Sequence, residues 1–73
     1  MNKERGFHLW VGLFSWLAAT ALLGLGNAFL MFGLGSSSAV AAVLAYAAAA
    51  FLDFNSLALL VWGVGHFYAA YKA

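Results

Sequence analysis

Ala39-Val-Ala-Ala-Val-Leu-Ala-Tyr-Ala-Ala-Ala-Ala-Phe-Leu-Asp53-Phe-Asn-Ser-Leu-Ala-Leu-Leu-Val-Trp62 is one long apolar run with a carboxylate in its middle. A run longer than about 18 residues with few charges reads as a transmembrane helix. Asp53 is the one acidic residue between Glu4 and the C-terminus. A carboxylate at bilayer depth is costly unless it is protonated, paired or wetted, so it marks a candidate functional site.

Outward from that run, the rest of the chain agrees. Its 73 residues are 67% hydrophobic and 7% charged, with mean hydropathy +0.98. A soluble domain this short needs a polar exterior, and this composition cannot supply one. A second apolar run extends from Phe7 to Phe32. It is too long for the h-region of a cleaved signal peptide, about 7–15 residues, and is expected to be a retained span. The sequence has no cysteine and no proline. Disulfides and thiolate metal sites are therefore excluded, and no sharp proline kink is expected. A net charge of +1 excludes a basic nucleic-acid surface.

Gly33-Leu34-Gly35-Ser36-Ser37-Ser38 separates the two runs. Glycine supplies positive φ at a helix C-terminus, and serine is a good N-cap for the next helix. The predicted fold is all-α integral membrane: two antiparallel transmembrane helices forming a helical hairpin. Residues 1–6 form a cytoplasmic N-terminus, 7–33 the first span, 34–38 the turn, and 39–71 the second span with an interfacial C-terminal end. Lys3, Arg5 and Lys72 all fall at the open end of this hairpin. The positive-inside rule places both termini in the cytoplasm, in a bacterial inner (cytoplasmic or photosynthetic) membrane. Phe7, His8 and Trp10, with His66, Phe67, Tyr68 and Tyr71, form an aromatic belt at the same end.

The second helix, at about 51 Å, is longer than a hydrocarbon core of about 30 Å. Asp53-Phe54-Asn55-Ser56 holds three N-cap residue types and is where it would bend or break. A continuous helix is expected, because unsatisfied backbone in lipid is expensive. Counting outward from Ser36 places Thr20 at the depth of Asp53, and Asn27 opposite Tyr46.

Small residues recur along both helices. Gly12, Ala19, Gly26 and Gly33 repeat every seven residues, and Ala42, Ala45, Ala49, Asp53, Ser56 and Gly63 follow a 3-4 spacing that Leu60 interrupts. Helices in lipid associate along such stripes, so these are the expected packing residues. Asp53 lies within its stripe and is expected to face protein, with Ser56 one turn on as a hydroxyl partner. Large residues occupy the other faces: Trp10, Phe14, Leu17, Leu25 and Phe32, then Leu44, Phe51, Phe54, Val61 and Trp62.

Three functions compete. Asp53, with Ser56 and Thr20, could carry protons or ions; its plainer role is to join helices or pair with a basic residue of a partner. His66, in Trp62-Gly63-Val64-Gly65-His66, could ligate a chlorophyll-type magnesium or a haem iron, because small neighbours let a flat macrocycle approach. Light-harvesting polypeptides of photosynthetic bacteria place a small residue four before such a histidine, where this chain has Trp62. The plainer role of His66, and of His8, is an interfacial hydrogen bond. No nucleophile–base pair, phosphate loop or metal-ligand spacing is present, so no enzyme and no resident metal is expected.

The layout, with one carboxylate halfway along the second helix, is similar to the proteolipid ring subunit of rotary ATP synthases over the whole length. The resemblance is architectural. That family's polar arginine loop is here Gly35-Ser36-Ser37-Ser38, and its glycine repeat is reduced to Gly12, Gly24 and Gly26. Two-span phage holins also resemble the layout, but carry a more charged tail than Tyr71-Lys72-Ala73. Neither resemblance extends to a family motif. The expected function is a small accessory subunit of a larger membrane complex, of the photosynthetic or respiratory kind. Other transmembrane subunits and the lipid bilayer would be its partners, with carotenoid, chlorophyll-type pigment, quinone or lipid at its surface and no cofactor of its own. The alternatives are an oligomeric proton- or ion-conducting hairpin using Asp53 and a pigment- or haem-binding subunit using His66.

Overall fold

The computed structural model describes residues 3–73; Met1 and Asn2 of the expected N-terminal segment lie outside them. Two helices account for nearly all of the chain: α1 is Lys3–Gly35 and α2 is Ala39–Lys72. Both are long and apolar enough to cross a membrane. α1 begins before the expected span and ends after it, at about 50 Å of helix. Glu4 in its first turn and Lys72 in the last turn of α2 suit the partial charges of those helix ends.

α2 runs without interruption through Asp53-Phe54-Asn55-Ser56. The amide of Asn55 donates to the Phe51 carbonyl one turn back, at 2.8 Å. This cap-forming side chain therefore bonds within the helix instead of starting a new one.

The connection is shorter than expected. Leu34 and Gly35 remain helical, leaving Ser36, Ser37 and Ser38. Ser38 is the N-cap: its backbone is extended and its hydroxyl accepts from the Ala41 amide at 3.3 Å. The glycine expectation is corrected, since no described residue has positive φ. The Ser36 amide instead donates to the Gly33 carbonyl at 3.3 Å, and the Ser38 amide donates to the Ser36 hydroxyl at 3.2 Å. Serine hydroxyls thus close the turn without a left-handed residue.

Contacts pair the start of α1 with the end of α2 and proceed stepwise to the turn. Arg5 reaches Ala70, Ala19 meets Ser56, and Gly33 meets Tyr46. The described chain is a rod of 56 × 12 × 10 Å. Its core is one seam: Gly12, Ser15, Ala19, Gly26 and Gly33 from α1 against Ala45, Ala49, Ser56, Gly63 and Ala70 from α2. Ala42 is half-buried at the turn end of the same line. A seven-residue repeat on both helices is the pattern that a left-handed supercoil keeps turned toward its partner. No large side chain is fully buried and most face outward, with Leu22, Leu52, Leu59 and Phe67 half-buried. Only 17% of the most apolar window of each helix is buried within the described chain.

Candidate functional site

Each buried glycine of the seam is covered by one larger side chain from across it. The Phe67 ring lies where a Cβ on Gly12 would sit, 2.8 Å away, and the Tyr46 ring does the same at Gly33, 2.7 Å away. The Trp16 indole covers Gly63, and the Asp53 carboxylate covers Gly26. The cause is the tilt of helical side chains toward their own N-terminus. A side chain therefore covers a residue about one turn back from its own level. Tyr46, Asp53, Leu60 and Phe67 form one column of the seven-residue repeat on α2. This column borders the seam and is not part of it.

Asp53 is therefore placed differently from the expectation. One carboxylate oxygen lies against Gly26, yet the residue as a whole is exposed. The 3-4 spacing runs together two neighbouring columns, the seam (Ala42, Ala49, Ser56, Gly63) and its border (Asp53, Leu60). That is also why Leu60 interrupted the stripe.

The expected partners of Asp53 are occupied elsewhere. Ser56 donates its hydroxyl across the seam to the Ala19 carbonyl at 2.8 Å, a fully buried bond. Thr20 donates to the Trp16 carbonyl of its own helix at 2.9 Å. No hydrogen bond or ion pair reaches Asp53 among the described residues. Tyr46 lies on Gly33 and not against Asn27, so that expected pair is also corrected.

A second cluster lies at the open end of the hairpin. His8 of α1 and His66 of α2 bring their Nδ1 atoms to 2.8 Å, so that one imidazole N–H donates to the other ring. Their ring centroids are 5.0 Å apart, and the Trp62 ring lies 5.1 Å from His66. Phe7 sets its edge toward both imidazoles, at 5.5 and 6.4 Å. Close by, Arg5 donates from Nε to the Ala70 carbonyl and from Nη2 to the Ala73 carbonyl, both at 3.2 Å. A cation thus satisfies carbonyls that a helix C-terminus leaves open.

The geometry bears on His66 as a macrocycle ligand. Rings 5.0 Å apart and joined by a hydrogen bond leave no room for a haem or chlorophyll between them. His66 could reach such a group only through Nε2, beside Trp62.

The sequence places both histidines at one end of the hairpin, where they cannot be a ligand pair across the membrane, but it does not show their mutual hydrogen bond. The pairing follows from register, which places the levels of His8 and His66 side by side. Trp16 was also missed: its Nε1 donates to the Leu60 carbonyl at 3.2 Å while its ring meets Phe67 edge-on at 5.1 Å.

Comparison with known proteins gives no match, whether to family models, to curated proteins or to solved structures.

Proposed function

We propose that the chain is a transmembrane helical hairpin, with both termini on the cytoplasmic side, that works as a small subunit of a larger membrane assembly. The observation that carries this reading is Asp53. It lies within about 5 Å of the level midway between the turn and the Lys3–Lys72 end. It is exposed on the rod and has no partner among the described residues. A carboxylate left so in hydrocarbon is costly, and such groups in membrane proteins face protein or water. The neighbouring helix of another subunit would supply a donor to Asp53 and cover the border column. The outward faces, rich in Phe, Leu and Trp, suit lipid tails.

A second reading has one observation in its favour. Asp53 borders the seam and is exposed on the surface of the rod, so copies packed side by side could place carboxylates at every subunit boundary, as an ion-conducting ring or bundle requires.

One experiment separates them. The tagged chain is extracted from its native membrane in mild detergent and run on a native gel, and co-migrating chains are identified. Foreign subunits at fixed stoichiometry, lost in Asp53→Leu, are the expected result. A pure self-oligomer would overturn the accessory reading in favour of the second.

A further inference from the structure

We infer that His8 and His66 form a two-imidazole chelating site for a divalent transition metal, Cu(II) above all. The inference does not depend on which assembly the hairpin joins, because it rests on the open end of the seam.

Register brings the two imidazoles together from positions 58 residues apart, with Nδ1 facing Nδ1 at 2.8 Å. Imidazole nitrogen is a ligand for Cu, Ni and Zn. Two ligands on adjacent corners of a square-planar centre, with bonds of about 2.0 Å, lie about 2.8 Å apart; on a tetrahedral centre they lie about 3.3 Å apart. Both separations are within reach of nitrogens now 2.8 Å apart once the rings turn, so the preference for Cu(II) rests on the order of imidazole affinities, in which Cu(II) stands above Ni(II) and Zn(II).

The rings now point nearly end to end, as their hydrogen bond requires. Chelation needs each to swivel about its Cβ–Cγ bond so that the two lone pairs converge. Both histidines are only half-buried, which leaves room for this. The protons balance. The hydrogen between the two nitrogens leaves Nδ1 of one ring and the same ring takes a proton at Nε2. Two neutral ligands then face the metal and no net proton is released.

No group of three or more histidine, cysteine or acidic side chains occurs among the described residues. The remaining coordination positions are thus left to water or an exogenous ligand, as in an open site and not a closed structural one. Arg5, the nearest cation on α1, is turned toward the carbonyls of Ala70 and Ala73. It therefore engages the end of α2 and not the imidazoles.

The test is calorimetric titration of the full chain in detergent with Cu(II), Ni(II) and Zn(II) separately. The His8→Gln/His66→Gln double variant serves as the blank for binding at the chain's own amino terminus. The expected result is one metal per chain above that blank, in the order Cu(II), Ni(II), Zn(II). Affinity for Cu(II) should fall about a hundredfold in either single glutamine variant, since one ligand alone loses the advantage of a joined pair. Glutamine keeps a hydrogen-bonding side chain of similar reach, and helicity by circular dichroism verifies that each variant is folded. Unchanged Cu(II) affinity in either folded single variant would overturn the site. So would the absence of any binding above the blank. Zn(II) binding tighter than Cu(II) would overturn the assignment to Cu(II).

Discussion

Ser56 and Asp53 are one helical turn apart on α2, and their polar atoms have opposite fates. The Ser56 hydroxyl is buried and bonded to the Ala19 carbonyl across the seam. The Asp53 carboxylate lies over Gly26 on the border of the seam, exposed and unbonded within the described chain. Seam polarity is satisfied within the hairpin, so it specifies how the two helices pair. Border polarity has no partner within the described chain. The same division holds for glycine. Gly12, Gly26, Gly33 and Gly63 are covered by side chains of the other helix, whereas Gly24, Gly35 and Gly65 have nothing within 4 Å of where a Cβ would sit.

The strongest way to break this division is to overfill the seam. In Gly63→Leu the new side chain would meet the Trp16 indole and, 3.2 Å from its Cβ, the Gly12 carbonyl. The indole can swing aside but the backbone cannot. The expected cost is about 3 kcal/mol, the upper end of ordinary overpacking. Cysteines introduced at Leu9 and Tyr71, which line one groove at the open end, would report it through cross-linking yield. The chain has no native cysteine to interfere. Gly63→Leu should bring the yield to background, and an undiminished yield would remove the seam as the organising contact.

Next in size is the border. Asp53→Leu should leave the Leu9–Tyr71 cross-link intact, since nothing in the hairpin bonds to Asp53. It should weaken association with the assembly about tenfold or more, a change of roughly 1.4 kcal/mol, read as the free fraction on a native gel. If Asp53→Leu instead abolished the cross-link, the carboxylate would belong to the fold and the contrast with Ser56 would collapse.

Much of this architecture is legible in the sequence, and the misplaced parts share one physical origin. Two helices follow from two long apolar runs, and the Ser38 cap from side-chain chemistry. The seven-residue spacing of Gly12, Ala19, Gly26 and Gly33 marks four of the five α1 residues that are buried, Ser15 being the fifth. What counting missed is register. Taking Ser36 as the centre of the turn places Asp53 opposite Ala19 and Thr20. The register is centred about one and a half residues later, between Ser37 and Ser38, which shifts opposing positions by about three; the N-terminal tilt of the side chain adds about one turn more. The carboxylate accordingly lies on Gly26. The same shift separates Tyr46 from Asn27 and aligns His8 with His66, so one error hid both a wrong pair and a real one.

Hydroxyls give a finer comparison. Ser56→Ala removes a bond between helices and should destabilise the hairpin by about 1 kcal/mol, the size measured for such bonds in membrane proteins. Thr20→Val removes a bond to the Trp16 carbonyl within α1. That bond competes with the helix and contributes little to it, so the expected change is near zero. Unfolding of both variants in mixed micelles would show the difference. Equal losses would mean that hydroxyls act by depth alone and not by which helix accepts the bond.

The smallest expected effect is the most diagnostic for glycine. Gly24→Ala adds a methyl group where nothing lies within 4 Å. The isolated hairpin should gain the helix-propensity difference, at most about 1 kcal/mol. Gly26→Ala, two residues on, would push its methyl into the Asp53 carboxylate and toward the Ala49 carbonyl, 3.5 Å from that Cβ. Because Asp53 is exposed and can turn outward, the fold should lose little. The carboxylate would nevertheless be displaced from its present position, and association should weaken as in Asp53→Leu. If Gly26→Ala left assembly unchanged while Asp53→Leu abolished it, the partner would require only a carboxylate somewhere on this face. If both abolished it, the partner reads the carboxylate where Gly26 allows it to lie.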